Sequence, residues 1–222
     1  MGVQHFYLYN NNSNDNYLEI LTPYLDAKEV DLFDWPVETY SQQDYLYQLQ
    51  LPVYRHALEL AKAETCWIAF IDLDEFLFPV EKENLLEFLE EYRDCSAIAV
   101  NWQIFGTSFI TNLADHQLIT ENFILKAPQE YAINRIVKLI VQPQDVLKID
   151  DPHFFTLISD KEIINSSREP VRSKESNQVL VNKVRINHYW FGDKRWFCEN
   201  KIPRREKWGL YFSKKQQDDF FV

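Results

Sequence analysis

Apolar and polar residues alternate along the first hundred positions with the periods of strands and helices, two and 3.6. His5 to Tyr9 (HFYLY) reads as a short aromatic-rich strand. The turn-formers NNNSNDN follow, and an Asn or Asp among them is placed to cap a helix predicted over Tyr17 to Leu25. Val30 to Trp35 (VDLFDW) has the alternation of a half-buried strand. Asp44 to Ala63 predicts a longer helix that Pro52 is expected to kink or break. Cys66 to Ile71 (CWIAFI) is an unbroken apolar run, which suits a central strand covered on both faces. An amphipathic helix over Asn84 to Arg93 and a second buried strand over Ser96 to Val100 complete the pattern. Strands separated by helices imply a mainly parallel sheet in an α/β domain.

The second half is less regular. Arg135 to Gln142, Val146 to Ile149 and Val184 to Trp190 predict strands, and Ile158 to Val181 is polar enough to be a loop or hairpin. The last twenty-odd residues carry a weak helical pattern. No repeat, low-complexity tract or linker interrupts the chain, so residues 1–222 are expected to form a single domain, with 193–222 as a basic helical extension.

Charge narrows the partners. The formal net charge of -11 repels phosphate backbones and argues against nucleic-acid binding. Lys194, Arg195, Lys201, Arg204, Arg205 and Lys207 nevertheless cluster near the end, and Lys201, Arg204, Arg205 and Lys207 among them predict contact with either donor phosphates or an anionic membrane surface, a solvated amphipathic helix being the competing reading. Cys66, Cys95 and Cys198 form no CxxC pair, which excludes the usual structural zinc site and suits a reducing compartment. No apolar run approaches the roughly 20 residues of a membrane span. The expected location is the cytoplasm, at most peripheral to the inner face of a membrane.

The strongest chemical feature is Trp67-Ile-Ala-Phe-Ile-Asp72-Leu-Asp74-Glu75-Phe76, an apolar run that ends in three acids. Ligands of open α/β sheets bind beyond the carboxyl ends of strands. Carboxylates gathered there repel one another unless a cation or protons intervene. Oxygen ligands of this kind suit Mg²⁺ or Mn²⁺, either of which also binds a nucleoside diphosphate. The competing reading is an acidic turn that caps a helix. Four glycines, none in a phosphate loop, exclude a Walker-type nucleotide hydrolase. A glycoside hydrolase would rest on the paired carboxylates alone.

FIDLDEFLFP resembles the signature of glycosyltransferase family 92, and further segments agree in the same order. HFYLYNNNSND resembles the family's aromatic strand and polar loop. Residues Val100 to Phe109 (VNWQIFGTSF) resemble its Trp-x-x-Phe-Gly-Ser/Thr segment. KLIVQP at Lys138 to Pro143, followed by His153, resembles its Lys-x-Ile-Val-x-Pro…His stretch, and Ile186 to Trp190 (INHYW) its closing Asn-His-Tyr motif. The resemblance implies a GT-A-like fold and inverting transfer of a sugar, galactose among the known cases, from a nucleotide-sugar donor such as a UDP-sugar to a glycan or glycolipid. It also implies that Asp72 faces the donor ribose or the metal, that Asp74 and His188 ligate the metal, and that Glu75 supports them.

Other residues keep two readings each. His188 and His153 are metal-site residues or satisfied core histidines. Asp15 holds the donor or caps a helix, Lys138 pairs with phosphate or faces solvent, and Trp102 stacks on a sugar or packs in the core. Inversion needs a general base, for which Glu121 is chosen ahead of Asp115, Asp150 and Asp151. The chain also departs from the family. Only four residues precede His5, so the usual first strand and helix are expected to be missing, and Gly192-Asp193 stands where the family has Lys-Ser. The second function carried forward is accordingly a degenerate, non-catalytic domain that binds sugars or a partner.

Overall fold

The computed structural model describes residues 1–212 as an α/β arrangement. Its main sheet has the order β3 (Ile68–Ala69), β6 (Val137–Val141), β5 (Ala97–Ile104), β10 (Val184–His188), β4 (Glu75–Pro79), with β9 (Ile163–Ile164) also paired to β5. β1 (Phe6–Asn10) and β2 (Val30–Asp34) form a separate parallel pair, and β7 (Val146–Lys148) and β8 (Thr156–Leu157) a small antiparallel one.

The α/β class read from the sequence holds, but the expected mainly parallel sheet is mixed. β3–β6, β5–β6 and β4–β10 are antiparallel, whereas β5–β10 and β5–β9 are parallel. Apart from β3 and β4, the strands of the first half are separated by helices, whereas the second half has only the four-residue helix Ile119–Asn122 and short 3-10 turns between its strands. In the second half β6, β9 and β10 are reached through loops and short turns, which constrain direction less than a crossover helix does. The apolar run at residues 66–71 is also not a central strand. Two of its residues hold strand geometry, at the edge of the sheet, before the chain turns into the acidic segment. β4 was hidden in the same stretch, because EFLFP reads from sequence as the tail of the acidic motif.

β5 shows why the sheet is well anchored. All eight of its residues are buried. Ala97 and Ala99 join the cluster formed with Leu51, Tyr54, Leu58, Val137, Leu139 and Val141, while Ile98, Val100, Trp102 and Ile104 join the one formed with Leu77, Phe88, Ile140 and Ile186. Successive side chains thus serve opposite faces, and small residues admit the helix on one of them. α3 (Leu85–Glu90) covers the other face, and the Asn84 side chain caps it by accepting from the Glu87 N–H at 3.0 Å.

Two helices bear directly on the site. α2 covers residues 42–64 as Gln42–Asp44, a π-wound stretch Tyr45–Gln50, and Leu51–Glu64. After α1 (Tyr17–Asp26) and the short α4 (Ile119–Asn122), α5 covers residues 194–207 in the same way: Lys194–Trp196, π-wound Phe197–Lys201, Ile202–Lys207. In each, the residue before a proline bonds five residues back, Leu51 N–H to Leu46 O and Ile202 N–H to Phe197 O. A proline in an α-helix loses one hydrogen bond and collides with the carbonyl four residues earlier. The wider π turn relieves that collision, so Pro52 does not break the helix as the sequence suggested. Of the expected basic extension over 193–222, residues 194–207 are helical and residues 213–222 lie outside the described ones. Among the described residues no helix is long and apolar enough to cross a membrane.

The burial pattern makes a direct prediction. Ile98→Ala, at a side chain with 0% exposure, is expected to lower unfolding free energy in urea by about 2–5 kcal/mol. Leu73→Ala, at a side chain 90% exposed between the two aspartates, should change it by less than about 0.5 kcal/mol. Equal losses at the two positions would contradict the burial pattern.

Candidate active site

Sheet order positions the acids. β3 and β4 lie at opposite ends of the main sheet, and residues 70–74 alone join them, so this segment crosses the ends of the strands between. At its start the Phe70 N–H donates to Leu139 O of β6 at 3.4 Å, and at its end Asp74 O accepts from the Tyr189 N–H at 2.9 Å, just past β10. Asp72 is thereby brought to β6 and Asp74 to β10. The turn is closed internally: the Glu75 N–H donates to Asp72 O at 3.0 Å and the Asp72 N–H to Glu75 Oε2 at 3.1 Å.

Strand register supplies the other groups. Lys138 lies opposite Val100, and His188 lies between Ile104 and Glu75. By the two-residue period these positions share the face that carries Trp102. Helix α2 adds Gln50 and Tyr54, whose amide and hydroxyl donate to Asp72 Oδ1 at 3.1 and 3.3 Å. Helix α5 adds Lys201, whose ammonium donates to Asp74 Oδ2 at 2.9 Å.

Each aspartate therefore has its own lysine. Lys138 Nζ stands 3.4 Å from Asp72 Oδ2 and 3.7 Å from Glu75 Oε2, and donates to the Tyr54 hydroxyl at 3.1 Å. The lysine side chains are 1% and 7% exposed, against 37% for Asp72 and 27% for Asp74. The cations come from inside the fold and leave the outer faces of both carboxylates open, as a ligand site requires. The solvent-facing reading of Lys138 is thus excluded.

Burial and charge act against each other here. Burial disfavours the charge of Asp74, but the His188 ring and the Lys201 ammonium outweigh it and hold the carboxyl well below the usual range. Burial pushes Glu75 up to about 8, with Lys138 opposing and the two aspartates assisting. Burial also works against Lys138, yet Tyr54, Asp72 and Glu75 hold it above the usual lysine value. With one buried ammonium facing two carboxyls, the neutral arrangement is Lys138 with Asp72 ionised and Glu75 protonated. His153 Nδ1 donates to Val137 O at 3.0 Å, and burial together with Lys138 pushes the ring down to about 4, leaving it neutral at pH 7.

Trp102 packs edge-on against both histidines, with ring centroids 4.3 Å from His188 and 5.2 Å from His153. Among the described residues Trp102 Nε1, His188 Nδ1 and Glu75 Oε1 are buried without a hydrogen-bond partner. Orphaned polar atoms in one neighbourhood are unusual in a core and call for a ligand or solvent.

Seven of the residues proposed from sequence come together: Asp72, Asp74, Glu75, Trp102, Lys138, His153 and His188. Asp15 and Glu121 are not joined to them by any contact among the described residues. Asp15 is exposed and accepts from the Tyr17 N–H at 3.3 Å, in keeping with a helix-start role. Glu121 is exposed on α4, where its N–H donates to Leu118 O. Sequence reasoning did not identify Gln50 or Tyr54 as site residues, and it placed Lys201 only within a basic cluster facing donor phosphates or a membrane. The available signal was a shared pattern, Gln50-Leu51-Pro52 and Lys201-Ile202-Pro203, in which a proline follows the contacting residue by two positions.

The cluster was tested for a divalent cation. Among the described residues no three His, Cys, Asp or Glu side chains converge on a self-sufficient metal site. His188 Nε2 and Asp74 Oδ1, however, stand 3.6 Å apart, too far for a hydrogen bond and near the spacing of two ligands on one ion. Mn²⁺ and Mg²⁺ commonly use one or two protein ligands and complete their shell with substrate phosphates and water. The donor set of a carboxylate and an imidazole fits that mode.

The sequence model of glycosyltransferase family 92 matches residues 1–219. A glycosyltransferase family 92 protein of Ricinus communis is 27% identical in an alignment 173 residues long that covers 71% of this chain. The match spans 27% of that relative, about a quarter of its length.

Glu75 gives the site a pH signature. Its folded value near 8 lies above the ordinary carboxyl value, so its contribution to stability is full below about pH 4.5 and is lost as pH rises through 8. Glu75→Gln removes that titration. Between pH 5 and 9 the wild type should therefore lose at least about 1 kcal/mol of unfolding free energy relative to the variant. Parallel stability curves in chemical denaturation across that range would show that Glu75 is ionised throughout.

Proposed function

The chain belongs to glycosyltransferase family 92, and from that premise we propose that it transfers a sugar from a nucleotide-sugar donor to a glycan or glycolipid acceptor, with inversion at the transferred carbon. A UDP-sugar, with galactose as the leading candidate, is the proposed donor. The observation that carries the reading is Asp74, a partly open carboxylate at the end of a buried sheet, faced by His188 and backed by a buried lysine.

In this reading Asp74 and His188 hold a Mn²⁺ or Mg²⁺, which supplies positive charge to the leaving diphosphate. Asp72, fixed by Gln50, Tyr54 and Lys138, presents its open face to donor hydroxyls such as those of the ribose. Glu75 and Lys138 act from beneath by holding the turn, and Trp102, itself packed against His153, holds the His188 ring. Glu121 is retained as the base that accepts the acceptor's proton: it is exposed, and among the described residues no ion pair engages it. Asp150 and Asp151 serve less well, since Lys148 pairs with the first and Lys174 with the second. The basic face of α5 also suits an anionic membrane surface, where a glycolipid acceptor would lie.

A second reading has one observation in its favour. Both aspartates are already neutralised by lysines of the same chain, so the cluster is stable without a cation and would serve a non-catalytic sugar-binding domain equally well. Calorimetry with UDP in the presence and absence of Mn²⁺ separates the two. Asp74→Asn is expected to reduce Mn²⁺-dependent UDP binding by at least tenfold. Binding that ignores Mn²⁺ in the wild type, or survives undiminished in the variant, would favour the non-catalytic domain.

A further inference from the structure

Lys201 is unusual among the basic residues near the C-terminal end of the described chain. Arg195 pairs with Glu199 on the surface at 3.1 Å, Arg204 lies over Trp208 and Lys207 over Tyr40. Arg205 is half-buried over the Trp190 and Phe212 rings, and Lys201 is carried furthest inward of those described. Its residue is 6% exposed, its ammonium lies 5.0 Å from the Trp190 ring centre and 5.5 Å from that of Trp196, and it reaches Asp74 at 2.9 Å.

The position is built into the fold. The start of α5 is fastened to the loop after β5: Lys194 N–H donates to Ile110 O at 3.1 Å and Arg195 N–H to Thr111 O at 2.8 Å. Asp193 caps the helix by accepting from the Trp196 N–H at 2.7 Å, and its second oxygen accepts from the Leu113 N–H at 2.9 Å. Gly192, at φ 56, leaves room for the indole that lines one side of the lysine; a Cβ there would come within 2.9 Å of Trp196. The π-wound stretch then ends on Lys201 itself.

We propose that Lys201 is a resident counter-cation that keeps a bare divalent ion off Asp74, so that the metal enters this site only together with a diphosphate. The proposal rests on the reading of Asp74 and His188 as metal ligands. A metal ion between those two side chains would sit close to the Lys201 ammonium, and like charges at such range in a partly buried site repel strongly. The negative charge of a nucleoside diphosphate offsets that repulsion and gives the ammonium a second acceptor. The acidic cleft thereby discriminates a metal–nucleotide complex from free metal without any moving part.

The test is Mn²⁺ binding in the absence of nucleotide, followed by the paramagnetic resonance of free Mn²⁺. Lys201→Gln is expected to bind Mn²⁺ alone on the order of tenfold more tightly than the wild type. The gain should vanish in Lys201→Gln combined with Asp74→Asn. Lys201→Arg, which keeps the charge, should bind Mn²⁺ as weakly as the wild type. If Lys201→Gln does not fold, as judged by circular dichroism, Lys201→Met takes its place, because an unbranched apolar chain fits between the two indoles. Unchanged or weaker Mn²⁺ binding in a folded neutral variant overturns the proposal. The failure of the metal reading itself would look different: Mn²⁺ would then have no effect on UDP binding in the wild type or in any variant.

Discussion

Three carboxyl groups carried across the ends of a buried sheet need positive charge or protons close by, and the rest of the site follows from how that need is met. Asp72 is met by Lys138 of β6, Asp74 by Lys201 of α5, and Glu75 by the proton that burial favours. Removing either lysine would leave a carboxylate at the sheet end without its counter-charge, which costs far more than the pair contributes. The result is a layered arrangement. Lysines lie inside, aspartates lie outside them, and the open carboxylate oxygens form the surface that a ligand meets.

The helices are subordinate to the same requirement. α2 and α5 approach the crossing segment from different parts of the chain, and Tyr45 of one touches Trp208 just beyond the other, with ring centres 5.6 Å apart. Each is π-wound just where it delivers a polar side chain to an aspartate, Gln50 to Asp72 and Lys201 to Asp74. Proline provides the local cause of the winding, and the contact to the acid gives the winding its use.

Much of this was legible in the sequence. The acidic motif at the end of an apolar run located the site, and the ordered segments around Trp102, Lys138, His153 and His188 named the residues that gather there. Legibility ended where tertiary pairing overrides local pattern. Only Phe70 of the stretch at 66–71 is buried, while Cys66 and Ile71 are exposed, and an apolar run reveals neither its cover nor how many of its residues keep strand geometry. β4 was missed because its alternation begins inside the motif itself. Strand direction in the second half depends on loops, which leave no periodic trace. Lys201 was not told apart from the other cations of its helix, because one charge in a basic helix looks like any other until burial distinguishes it.

The paired π turns also bear on how such a chain can change over time. A π stretch holds one residue more than the α-helix it interrupts, so deleting a single residue there would restore ordinary winding and re-aim the side chains of the stretch itself, while the helix beyond it keeps its place. In α2 that would turn Gln50 away from Asp72, and in α5 it would turn Lys201 away from Asp74. Substitutions at these helices change one side chain at a time, whereas a one-residue deletion in a π stretch re-aims every side chain of that stretch together. The two segments that look most tolerant of sequence variation on their outer faces are therefore the least tolerant of a change in length.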